Sequence, residues 1–144
     1  MELPNKPSEL MRLAVKDLMA IETDPAYTIN MSYWHYPLRI ESGEGTITRC
    51  AVCMAGAVLA NTLHKPATTE QYPDIYPREV KDALQAIDAF RAGSIHEGCS
   101  YLRLPYESYD FLPWEIPIAN YDSRVLSFYD DMDGLIELFE SVGL

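Results

Sequence analysis

The longest stretch without Asp, Glu, Lys or Arg contains the apolar run Cys50-Ala51-Val52-Cys53-Met54-Ala55-Gly56-Ala57-Val58-Leu59-Ala60. A run like that has to sit away from water, and the rest of the chain has to be arranged over it. It is too short to cross a bilayer, which takes about 20 apolar residues, and Asn61-Thr62-Leu63-His64-Lys65-Pro66 stops it. Having no polar face, it predicts a helix buried on all sides. Ala55, Gly56, Ala57 and Ala60 keep that helix narrow, so neighbouring elements can approach it closely.

The flanking segments supply the elements that cover it. Pro7-Ser8-Glu9 opens a helix with Ser8 as its N-cap. One face carries Leu10, Leu13, Ala14, Leu18 and Ile21, with Arg12, Lys16, Asp17 and Glu22 largely elsewhere, and Thr23-Asp24-Pro25 ends it. Leu38–Glu41 and Thr46–Arg49 flank Ser42-Gly43-Glu44-Gly45 and read as a hairpin with a four-residue loop. A lone hairpin is marginal in water and must lean on the central helix. Residues 66–77, with Pro66, Pro73 and Pro77, read as a surface connection. Pro77 then starts a helix to about Ala92, closed by Gly93, whose stripe is Val80, Ala83, Leu84, Ile87 and Phe90.

Residues 94–120 are the least regular part, and only Ser100-Tyr101-Leu102-Arg103-Leu104 alternates like a strand. A last helix capped by Asp122-Ser123 runs through Val125, Leu126 and Tyr129, with Gly134 a point for a kink. The expectation is one helix-dominated α+β domain over residues 1–144, with a small hairpin or short sheet packed on a central buried helix. A chain of 144 residues buries roughly 68–70% of its unfolded surface, so a core needs no staples.

Charge is the most informative bulk property. The chain has 22 acidic and 11 basic residues, a formal net charge of −11. Residues 1–96 hold 12 acids and 9 bases, a net of −3, whereas residues 97–144 hold 10 acids against Arg103 and Arg124, a net of −8. That field repels phosphate backbones and anionic lipid and favours a partner with a basic surface. Direct binding of nucleic acid or of a membrane is not expected. Three cysteines, an odd count, and a first segment without a basic start and apolar stretch point to no signal peptide, no disulfide framework and a reducing cytoplasm.

Two constellations compete for the chemistry. Cys50-x-x-Cys53 and His96-x-x-Cys99 pair four soft donors at short spacing, the raw material of a zinc site. Cys50 at a helix start would alternatively be a low-pKa nucleophile with His35, His64 or His96 as base. Against both, Cys53 leads straight into small hydrophobes, as a packed cysteine would. The second constellation interleaves rings and acids: Tyr101, Tyr106, Glu107, Tyr109, Asp110, Trp114 and Glu115, then Asp130, Asp131 and Asp133. Rigid rings with polar tips are the residues of protein interfaces. Asp130, Asp131 and Asp133 splay over different faces of a helix and do not meet the calcium-loop pattern, so they read as a solvated acidic face. No phosphate loop, nucleophile elbow or HExxH is present, and no cofactor is expected.

The Pro7-Ser8-Glu9-Leu10-Met11-Arg12-Leu13-Ala14 helix, Trp34-His35 and Cys50-Ala51-Val52-Cys53-Met54-Ala55-Gly56-Ala57-Val58, in that order, resemble a group of small uncharacterised proteins of tailed bacteriophages and prophages. The likeness covers about the first 65 residues. It implies no activity. It does imply expression inside an infected bacterial cell, where small acidic phage proteins bind and block host enzymes or defence complexes. The reading is therefore an acidic module that binds a host protein and inhibits a nucleic-acid-handling or defence protein by charge mimicry. The alternatives are a zinc or cysteine enzyme centred on Cys50, Cys53, His96 and Cys99, and a self-associating virion component.

Overall fold

The computed structural model describes residues 3–43, 45–65, 67 and 76–144, with residues 40–42 and 46–48 described by their backbone. Most of the proline-bearing connection expected over 66–77 falls outside the described residues. The elements run in the order α1 (Pro7–Glu22), β1 (Tyr27–Ile29), β2 (His35–Ser42), β3 (Gly45–Val52), α2 (Met54–Asn61), α3 (Arg78–Arg91), α4 (Ile95–Tyr101) and α5 (Ser127–Ser141). The domain is helix-dominated α+β, as the sequence predicts.

The apolar run is not one helix. Cys50, Ala51 and Val52 finish β3, Cys53 is the N-cap of α2, and the helix begins at Met54. A strand covered on both faces is as continuously apolar as a buried helix, so periodicity cannot separate the two. Residues 50–59 are nevertheless all buried, as the composition of the run demands. The hairpin is longer and tighter than expected. Pairing extends from His35↔Val52 to Ser42↔Gly45, so β3 is antiparallel to β2 along its length. The short strand β1 adds in parallel on the other edge of β3, Tyr27 opposite Cys50 and Ile29 opposite Val52, in the order β1-β3-β2.

Helix α1 packs against α2 and α5, and α3 packs against α4 and α2. Phe90 of α3 and Phe139 of α5, both fully buried, meet edge to face at 4.9 Å. On α1, Leu10, Met11, Ala14, Val15, Leu18 and Ile21 are buried, while Leu13 is half-buried. Ser8 is not the N-cap. That position belongs to Lys6, and the buried Ser8 hydroxyl donates to the carbonyl oxygen of Leu144 at 2.9 Å, tying the first turn to the residues after α5.

Two acids of α1, expected largely away from its apolar face, are held by long-range hydrogen bonds. Asp17 is 1% exposed and accepts from Asn61 Nδ2 at 2.7 Å and from the Thr62 hydroxyl, so the end of α2 is fastened to α1. Loss of hydration raises its carboxyl above the ordinary range, and the two hydrogen bonds oppose that. Glu22 accepts from the hydroxyls of Tyr121 (2.8 Å) and Tyr129. Neither contact is local in sequence, so spacing does not reveal it.

Three further expectations change. Ser100–Leu104 is not a strand. Residues Ile95–Tyr101 are helical, and Arg103, at φ 58°, takes the left-handed conformation that ends the helix, which no strand accommodates. Asp122-Ser123 does not cap α5. Asp122 Oδ1 accepts from Arg124 N in a turn of its own (2.9 Å), and Val125 and Leu126 stay exposed ahead of a helix that starts at Ser127. Finally, α5 continues through Gly134 as one helix.

Candidate functional site

The expected metal ligands do not converge. Cys50 lies on β3, where the register sets it opposite Pro37 and diagonal to His35 on the same face. Its Sγ lies 3.3 Å from His35 Nδ1. Cys53 Sγ accepts instead from Gly56 N at 3.4 Å in the first turn of α2. His96 Nε2 donates to the carbonyl oxygen of Leu112 at 2.8 Å, and Cys99 is buried on the inner side of α4. Among the described residues no group of three or more His, Cys, Asp or Glu could hold a metal ion.

The Cys50–His35 contact has the composition of a nucleophile and base, but not the setting. Cys50 is a strand residue without a helix dipole, it is 0% exposed, and His35 is 1% exposed. Burial pushes the Cys50 thiol up to about 11, and only the thiolate attacks. The pair reads as packing. Burial lifts Cys53 and Cys99 to about 11 as well. Native protein should accordingly leave all three thiols unreacted with a disulfide reagent over the time in which urea-unfolded protein reacts completely. Fast reaction of one thiol in the folded state would reopen the nucleophile.

The ring-and-acid segment folds against α4 and the two enclose a recess. His96, Glu97 and Ser100 project from α4, His96 and Ser100 sharing a face at i, i+4. Beside them the chain returns antiparallel. Ser94 bridges Glu115, with Ile95 N donating to Trp114 O and Ile116 N to Gly93 O, both at 2.9 Å. Gly93 permits this approach, since at φ 85° a Cβ would lie 2.1 Å from the Ile116 carbonyl oxygen. After Pro105, a 3-10 turn over Tyr106–Ser108 swings Tyr106 and Tyr109 round to the same place. The His96–Leu112 hydrogen bond pins that loop to α4.

The result is an aromatic recess with acidic walls. His96 stacks on Trp114 (centroids 4.0 Å, 25° between planes) and meets Tyr109 edge-on at 5.2 Å and Tyr106 at 5.8 Å. Ser94, Glu97, Ser100 and Glu115 complete the lining of an open cavity of about 510 Å³. Trp114 is 66% exposed, Phe111 61% and Tyr106 52%. No family model, curated protein or solved structure matches this chain.

The predicted residues divide. Tyr106, Glu107, Asp110, Trp114 and Glu115 are exposed together on the 106–115 segment, while Tyr109 turns inward as part of the wall and Tyr101 is half-buried at the end of α4. The α5 acids belong to a different element, one that packs on α1. Asp130 and Asp133 are exposed there, and Asp131 accepts from Ala119 N at 2.7 Å. The sequence marked His96 as a metal ligand or as a base for Cys50, and counted Glu97 among the acids interleaved with tyrosines without setting it in a recess. The signal for both was present in the pairing of His96-Glu97 at a helix start with Trp114-Glu115 across an irregular loop. It takes the Gly93–Ile116 contact to bring those pairs together. Among the described residues no helix is long and apolar enough to cross a membrane.

Proposed function

We propose that the protein is an acidic binding module of tailed-phage type. It acts in the cytoplasm of a bacterial host cell, on a host protein with a basic surface. By setting carboxylates where phosphates would lie, it inhibits a nucleic-acid-handling or defence protein. One observation carries the reading: Tyr106, Phe111 and Trp114 stand more than half exposed among Glu107, Asp110 and Glu115 on a segment anchored to the core. Large rings left in water on a fixed scaffold gain by burial against a partner. The net charge of −8 over residues 97–144 selects for a basic one and speeds its approach.

The test is capture from bacterial lysate at low and high salt, with wild-type protein beside the Glu107→Gln/Asp110→Asn/Glu115→Gln variant. Wild type should retain a basic protein at low salt, and retention should fall about tenfold on raising salt or neutralising the three acids. Capture of no partner at either salt, or undiminished capture by the neutralised variant, would defeat the proposal.

A further inference from the structure

We infer that the recess beside Trp114 receives the guanidinium group of an arginine on the partner protein. The inference rests on the protein-binding reading above and names the chemistry of its centre. The lining offers π-faces from Trp114, Tyr106 and Tyr109, carboxylates from Glu97 and Glu115, and, among the described residues, no Lys or Arg. A cation is the ligand such walls suit, and an anion is the one they repel.

His96 narrows the choice among cations. Its Nε2 faces a carbonyl oxygen, which can only accept, so the ring hydrogen sits on Nε2. Among the described residues Nδ1 has no partner, and it is buried in a residue 3% exposed that forms part of the recess wall. In the uncharged ring that nitrogen is an acceptor. An unpaired buried acceptor is costly, and the carboxylates beside it are matched by a ligand that brings N–H donors, which a quaternary ammonium lacks. Among N–H cations, guanidinium is planar, weakly hydrated and forked. It can lie on the exposed indole while its edges reach two carboxylates, whereas a lysine ammonium is a hydrated point charge that prefers water. A cavity of about 510 Å³ holds one such side chain comfortably.

The probe is the peptide acetyl-Gly-Arg-Gly-amide, titrated into intact protein while the Trp114 indole N–H and the His96 ring nitrogens are followed by NMR. Trp114→Phe assigns the indole signal. Saturable shifts at both residues are expected, with affinity about tenfold lower for the citrulline peptide, for the lysine peptide and for the Glu97→Gln/Glu115→Gln protein. Both glutamates are exposed, and an unchanged urea midpoint would show that this variant folds. No saturable shift at tens of millimolar peptide overturns the inference, as does citrulline or lysine binding as tightly as arginine. If the arginine peptide fails while lysate capture still depends on Glu107, Asp110 and Glu115, the inference falls alone. If capture fails too, the protein-binding reading falls with it.

Discussion

Gly56→Ala is expected to leave little folded protein at 25 °C. In an ordinary helix the exchange gains stability, because glycine costs about 0.5–1 kcal/mol relative to alanine. At this position a Cβ would lie 1.5 Å from the carbonyl oxygen of Trp34, 2.7 Å from its carbon and 2.9 Å from Val52 Cβ. The first two atoms are backbone and cannot rotate away. Trp34 immediately precedes His35, which pairs with Val52 at the start of the β2–β3 ladder. Making room there would pull the hairpin off the helix it rests on. Overpacking a core costs about 1–3 kcal/mol when side chains can yield, and more where they cannot, against a total stability of about 5–15 kcal/mol. Gly134→Ala on α5 is the control. Among the described residues nothing lies within 4 Å of its added Cβ, so it should gain about 0.5–1 kcal/mol. Urea unfolding of the two variants would decide the matter, and Gly56→Ala within about 1 kcal/mol of wild type would show that α2 and the sheet are not locked through this contact.

That contact also marks how far the sequence reaches. The small residues of the 50–60 run already imply a close neighbour, but which backbone approaches is a tertiary fact. Local signals carry α3 well, from the proline before Arg78 to Gly93 at φ 85°, because caps and breakers act within a few residues. They fail where a long-range partner decides. Asp17 sits beside Lys16 on a polar-looking turn, yet Asn61 and Thr62 claim it. Ser8 has the chemistry of a cap, yet Leu144 takes its hydroxyl. The same limit applies at the recess. Its rings and acids are legible as a composition, but their convergence depends on a Gly93–Ile116 approach and a His96–Leu112 hydrogen bond that join segments 16 to 23 residues apart.

Alkali should unfold the protein well before any backbone chemistry intervenes. Burial lifts Cys53 from an ordinary 9.0 to about 11, and Cys50 and Cys99 move the same way. Burial also raises the Tyr121 and Tyr129 hydroxyls, reinforced by their hydrogen bonds to the Glu22 carboxylate. In each case the folded state holds its proton more tightly than the unfolded chain. Stability from these groups is therefore complete below the unfolded value and is lost as pH rises through the folded one. For the thiols that window is 9 to about 11, and the tyrosines extend the loss above 10. Cys53 alone accounts for about 3 kcal/mol across it, and the other four groups add in the same direction. Urea midpoints should hold steady from pH 7 to about 8.5 and then fall steeply, with less of a fall in Cys53→Ala once its own cavity cost is subtracted at pH 7. Thiolate absorbance near 240 nm should rise together with loss of structure rather than before it. A midpoint that stayed level to pH 10.5, or thiolates forming near pH 9 in protein still folded, would mean that the three sulfurs are not sealed in the core and would restore Cys50 and His35 as a pair open to chemistry.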